Sequence, residues 1–234
     1  MINQRNACRT KIRFKFYKKD EFKYLSHLDI TRIIMRALRR AELKIEYSLG
    51  YNPKPRIVFS PPTPLGIESL AEYSDVLINE NISGQGFKKK VNLQLKSQMQ
   101  VIKARKTAIE TANLMNDVAV SLYIFGLESC YSDRGILEEF YKTMENDLKK
   151  SDFSRAIYDL GIEQGRTGSH IFFLKLFGYA KIFKEDNNEF FKFNDFYKYF
   201  TSWLKDYRIG VREVKKEELF VLRENMLKTP MDVV

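Results

Sequence analysis

Hydrophobic and polar residues alternate over 11–17, KIRFKFY, with Ile12, Phe14 and Phe16 on one side and Lys11, Arg13, Lys15 and Tyr17 on the other. A period of two sends successive side chains to opposite faces of a pleated strand, so this stretch predicts a half-buried strand. The period then lengthens. Ile30, Ile33, Ile34, Ala37, Leu38 and Ala41 recur at steps of three and four, as one buried helical face requires. Ser26 stands where an N-cap is needed and Asp29 follows three residues later as the acidic half of a capping box. Leu25 and Ile30 occupy the two positions of a hydrophobic staple. These signals predict a helix over 27–42.

An extended piece at 43–49 leads into GYNPKPRIVFSPPTPLGIES, in which five of the first fifteen residues are proline. Proline fixes φ, lacks an N–H donor and biases the residue before it away from helix. The segment therefore predicts a rigid extended loop interrupted by one strand at 56–60. Residues 71–80 read as a strand, 87–98 as a helix and 99–108 as a closing strand, giving the order β-α-β-β-α-β. The second half repeats this order in outline. It reads as strand 118–127, helix 135–148, a loop through 161–168, a strand pair within 169–193 turning at DNNE (186–189), helix 193–206 and strand 208–223. His170 opens the first strand of that pair. The expectation is an α+β fold of two ferredoxin-like units in tandem, a basic one over 1–110 and a second over 117–234, joined by the polar connector TAIETANLMND.

Composition narrows the function classes. The chain has 234 residues, 44% hydrophobic and 30% charged, enough for genuine cores and unlike a disordered tail. No run approaches the length of a membrane-spanning segment and the first residues lack an apolar signal core, so a cytoplasmic location is expected. Cys8 and Cys130 are isolated, with no CxxC spacing, so cysteine cannot build a zinc or iron–sulfur site within this chain. No metal and no cofactor are expected. Glycine-rich nucleotide motifs and the GxSxG nucleophile pattern are absent as well.

Charge changes the picture more. The formal net charge is +10, and residues 1–60 hold 15 Lys/Arg against 5 Asp/Glu, while 61–234 balance at 25 against 25. A local cationic excess makes a directed field that concentrates polyanions. On the helix of 27–42, Arg32, Arg36 and Arg40 follow one another at steps of four with Arg39 alongside, so they share a stripe opposite the apolar face. Downstream, Tyr47 and Tyr51 stand beside Lys54 and Arg56 on a proline-stiffened backbone. Aromatic faces for stacking next to cations for phosphate suit single-stranded or loop RNA. Ser26 and His27 open the helix, where free N–H groups and the positive dipole end suit an anion. His27 is the one candidate for a general base.

LSHLDITRIIMRALRRAELKIEYSLGYNPKPRIVFSPPTPLGIESLAEYSDV, together with the C-terminal VREVKKEELFVLRENMLKTPMDVV, resembles the radical-SAM-linked family of bacterial proteins of unassigned function. Its specific parts are the Ser-His-Leu-Asp helix opening, the Arg-Arg near the helix end and the Tyr-Ser-x-Gly-Tyr-Asn-Pro-x-Pro-Arg segment, whereas residues 127–190 diverge. Family members occur fused behind a radical SAM domain or as separate chains encoded near one. This chain has no such domain, so the resemblance implies the separate form and a radical SAM protein as partner. The combined expectation is an RNA-binding accessory protein that presents tRNA or rRNA to that enzyme, with no DNA preference and no membrane partner. Two alternatives stand beside it: a metal-independent endoribonuclease using His27, and a protein-interaction module docking on the radical SAM partner.

Overall fold

The computed structural model describes residues 9–129, 134–164, 171–179, 181–183, 188–190 and 192–233. Cys8, Cys130, His170 and part of the expected DNNE turn lie outside the described residues. In chain order the elements are β1 (Thr10–Lys18), α1 (His27–Arg40), β2 (Ile57–Phe59), β3 (Glu68–Ile78), α2 (Gly84–Asn92), β4 (Val101–Thr107), α3 (Leu114–Asp117) and β5 (Val118–Ser129). They continue with α4 (Arg134–Lys150), β6 (Ile157–Gln164), β7 (Ile171–Tyr179), β8 (Lys181–Phe183), β9 (Asn188–Phe190), α5 (Phe193–Asp206), β10 (Ile209–Arg223) and β11 (Met226–Lys228).

The expectation of two tandem ferredoxin-like units is overturned by how these strands pair. Nine of them join one sheet in the order β4-β1-β3-β10-β5-β7-β6, with β2 added on β3 and β11 on β10, while β8 and β9 pair separately. Only five α-helices accompany them among the described residues, so the fold is dominated by its sheet. The physical reason lies in β10. This 15-residue strand has β3 on one side and β5 on the other, so the strands join into one sheet instead of two separate four-stranded ones. Periodicity marks a strand but does not name its neighbours. The loop expected through 161–168 is also corrected at its start, because β6 runs to Gln164 along β7.

The chain divides into two compact units, Met1–Val118 with Leu219–Val234, and Ala119–Glu218. In the first, Ile12, Phe14 and Phe16 of β1 pack under Ile30, Ile34 and Leu38 of α1 and Phe87 and Val91 of α2. The opposite face of β1, polar in sequence, is closed too. Arg13 is fully buried and pairs with its register partner Asp75 of β3 through Nε at 2.8 Å and Nη2 at 2.9 Å. Arg13 also donates to the Pro230 carbonyl at 2.8 Å, and Lys11 donates to the Thr111 carbonyl at 2.9 Å. Buried cations are tolerated when fully bonded, and here one carboxylate and backbone carbonyls from 111 and 230 close over the sheet.

In the second unit, Phe193, Phe196 and Phe200 of α5 pack around Phe125 of β5. Trp203 lies tilted against Phe140 of α4 at 5.4 Å between ring centres and donates its indole N–H to Asp147 at 3.0 Å. Among the described residues, no helix is long and apolar enough to cross a membrane.

Candidate nucleic-acid interface

The start of α1 is fixed by Ser26, whose backbone is extended (φ −66°, ψ 160°). Its hydroxyl oxygen accepts the Asp29 N–H at 3.2 Å and its O–H donates to the Asp29 carboxylate at 2.6 Å. That hydroxyl first, and the Arg32 guanidinium after it, hold the Asp29 carboxyl below its ordinary value of 3.8. The sequence folds this way because the cap satisfies a helix-end donor while the apolar face is drawn into the core. Ile30, Ile34, Met35, Ala37 and Leu38 are buried, so the opposite side of the helix faces solvent.

On that side Arg32, Arg36, Arg39 and Arg40 are all exposed, spread over about 12 Å of helix axis at 1.5 Å per residue. Among the described residues none of them pairs with an acid beyond residue 60. Arg32 meets Asp29 one turn away at 3.2 Å, Arg39 donates to the Tyr47 hydroxyl at 3.3 Å, and Arg40 donates to the Gln94 carbonyl at 2.7 Å. Among the described residues Arg36 makes no ion pair or hydrogen bond. Three positive charges therefore stay without a carboxylate on one face.

Tyr47 belongs to an arch over 47–55 that stands beside this face. The Ser48 N–H donates to the Lys54 carbonyl at 2.7 Å, the Lys54 N–H donates to the Ser48 hydroxyl at 2.9 Å, and Tyr47 bridges Pro55. Gly50, at φ +125°, adopts a conformation at the turn that a side chain would strain. At the tip Leu49 and Tyr51 are 96% and 107% exposed, and Lys54 is exposed as well. At the base Glu46 holds Arg9 at 2.6 Å and Arg56 at 3.3 Å, leaving one positive charge in excess. Phe59 turns inward, its ring meeting the His27 imidazole edge-on at 5.5 Å. His27 is exposed, and among the described residues no side chain hydrogen-bonds its imidazole.

The structure thus brings Arg32, Arg36, Arg39, Arg40 and Tyr47 together, sets Tyr51 and Lys54 on the arch, and ties Arg56 to its base. Two features were missed in the sequence. Leu49 falls at the end of the extended piece expected at 43–49, although a leucine between Ser48 and Gly50 is a turn-tip pattern. Residues 84–107 hold seven Lys/Arg and no Asp or Glu, which the even balance over 61–234 conceals and a sliding count reveals.

Residues 11–161 match a family described as an uncharacterized protein conserved in bacteria (DUF2344). The chain belongs to this family. Its matched region contains the whole of α1, the arch and segment 84–107, so both basic surfaces are family sequence. No curated protein matches the chain. A solved structure described as an unknown protein from Galdieria sulphuraria is similar at 12% identity over 89% of this chain and 99% of that one, with a TM-score of 0.27.

Proposed function

We propose that the protein binds RNA through the arginine face of α1 and the arch of 47–55, and presents a tRNA or rRNA to a separate radical SAM enzyme. The observation that carries the RNA part is the pairing of three arginines lacking carboxylate partners with a fully exposed tyrosine on a stiffened arch. Guanidinium groups bind phosphate through fixed donor forks. An aromatic ring held out by prolines and two hydrogen bonds offers a stacking platform with little ordering cost. Arg32, Arg36, Arg39, Arg40, Lys54 and Arg56 contact phosphates in this reading, and Tyr47 and Tyr51 stack on bases. The helix opening at Ser26 and His27 takes a further phosphate. The radical SAM part rests on the sequence resemblance alone.

The test is ultraviolet crosslinking in cells followed by sequencing of the RNA attached to the tagged protein. Recovery of tRNA or rRNA fragments that falls at least tenfold in an Arg32/Arg36/Arg39/Arg40→Gln variant is the expected result. Equal recovery from both proteins contradicts the proposal.

A docking role has its own support at the start of α1. Tyr24, Leu28 and Leu65 are 68%, 65% and 63% exposed, and the Gly66 N–H donates to the Lys23 carbonyl at 2.9 Å, holding the turn of Leu65 against the segment of Tyr24. Exposed apolar side chains gathered on one surface suit a protein partner. In this second reading the same end of the unit faces the enzyme.

A further inference from the structure

Within the first unit, the basic surface does not stop at α1. Arg40 is bonded to the Gln94 carbonyl just after α2, and Lys88 of α2 donates to the Ile102 carbonyl of β4 at 2.7 Å, so α1, α2 and β4 form contiguous surface. Along it Lys89, Lys90 and Lys96 are exposed and, among the described residues, make no ion pair or hydrogen bond; Lys103, exposed and without such a bond as well, lies around the β4 edge on the sheet face away from the helices. No carboxylate occurs anywhere in 84–107. Lys89 and Lys90 sit in the last turn of α2, where the helix dipole welcomes cations, so their charge has a local use. Lys96 and Lys103 lie beyond that turn. Lys103 stands directly across from Lys15 of β1, at the outer edge of the sheet.

We propose that segment 84–107 is a second phosphate-contacting surface, continuous with the arginine face, so that the ligand is a folded RNA whose backbone runs from α1 past the end of α2 to β4. This inference rests on the RNA reading above and adds the size of the ligand to it. A short oligonucleotide fills the α1 face alone, whereas a tRNA-sized fold reaches both surfaces.

The experiment compares the full chain with a Lys89/Lys90/Lys96/Lys103→Gln variant and a charge-retaining Lys→Arg variant at the same positions. Binding of tRNA and of a six-nucleotide RNA is followed by anisotropy across a salt series. For tRNA the Gln variant should show a salt slope smaller by about 3, since each lost phosphate contact removes roughly 0.7–0.9. The Arg variant should restore the slope, and the short RNA should bind all three proteins alike. A tRNA slope unchanged in the Gln variant, beside normal wild-type binding, overturns this inference and leaves the α1 face standing. Absence of salt-dependent binding by the wild type overturns the RNA reading as a whole.

Discussion

Gly84 opens α2 against the edge of the sheet, and a Cβ there would overlap the carbonyl oxygen of Ala104. Both partners are backbone, so neither can swing aside. Gly84→Ala should lower stability by about 3 kcal/mol, the upper end of overpacking costs, read as a shift of the urea midpoint. Asp75 is the second residue on which the unit depends, because it is the carboxylate shared by buried Arg13 and Lys11. Asp75→Asn should cost about 3–5 kcal/mol, as expected when a buried ion pair loses one member. Asp29 carries a pH dependence of defined sign. Its carboxyl is held below the ordinary 3.8 in the folded chain, so its contribution is present above that value and is lost as pH falls through the lowered one. In Ser26→Ala the Asp29 titration followed by NMR should move upward toward the ordinary value, and no movement would contradict the capping geometry. The cap was legible in Ser26 and Asp29 because its signal spans three residues. The inward turn of Arg13 was not, because its partners Asp75 and Pro230 lie 62 and 217 residues away.

Elements with a strong period were readable. The helix expected over 27–42 is observed as His27–Arg40, the one over 193–206 as Phe193–Asp206, and the strand over 208–223 as Ile209–Arg223. β6 was hidden although Tyr158, Leu160 and Ile162 alternate with Asp159, Gly161 and Glu163, because Gly161 and the following GRTG read as a turn, whereas pairing along β7 keeps the segment extended to Gln164. The arch was legible as a stiff proline segment, but its tip was not, because the two Ser48–Lys54 hydrogen bonds that lift Leu49 and Tyr51 into solvent leave no periodic trace. The arch makes its own prediction. Tyr51→Ala should weaken RNA binding by about 1–3 kcal/mol, the value of one stacked base, while leaving the thermal midpoint unchanged because the ring buries nothing in the free protein. Loss of stability without loss of affinity would give Tyr51 a structural role instead.

For the whole molecule, strand order was the part that local pattern could not supply. A 15-residue β10 with β3 and β5 at its sides makes one nine-stranded sheet, where segment-by-segment reading suggested two small ones. Sheet edges bear on function as well. β4 ends the strand order, and Asn92 answers both the N–H and the carbonyl of Val101 while Lys88 covers the Ile102 carbonyl. This blunts the edge against pairing with other chains and leaves its lysines for solvent or ligand. The excess charge of the molecule is thus gathered on the first unit, over α1, the arch and the α2–β4 edge.

The central claim is that the α1 arginines contact phosphate. Fluorescence anisotropy of labelled tRNA and rRNA fragments, titrated with the wild type and with the Arg32/Arg36/Arg39/Arg40→Gln variant across a salt series, tests it most directly. Log affinity should fall steeply with log salt for the wild type, with a slope smaller by about 3 in the variant. Weak binding of equal slope for both proteins would contradict the claim, and the arginine face would then have to be explained by a protein partner.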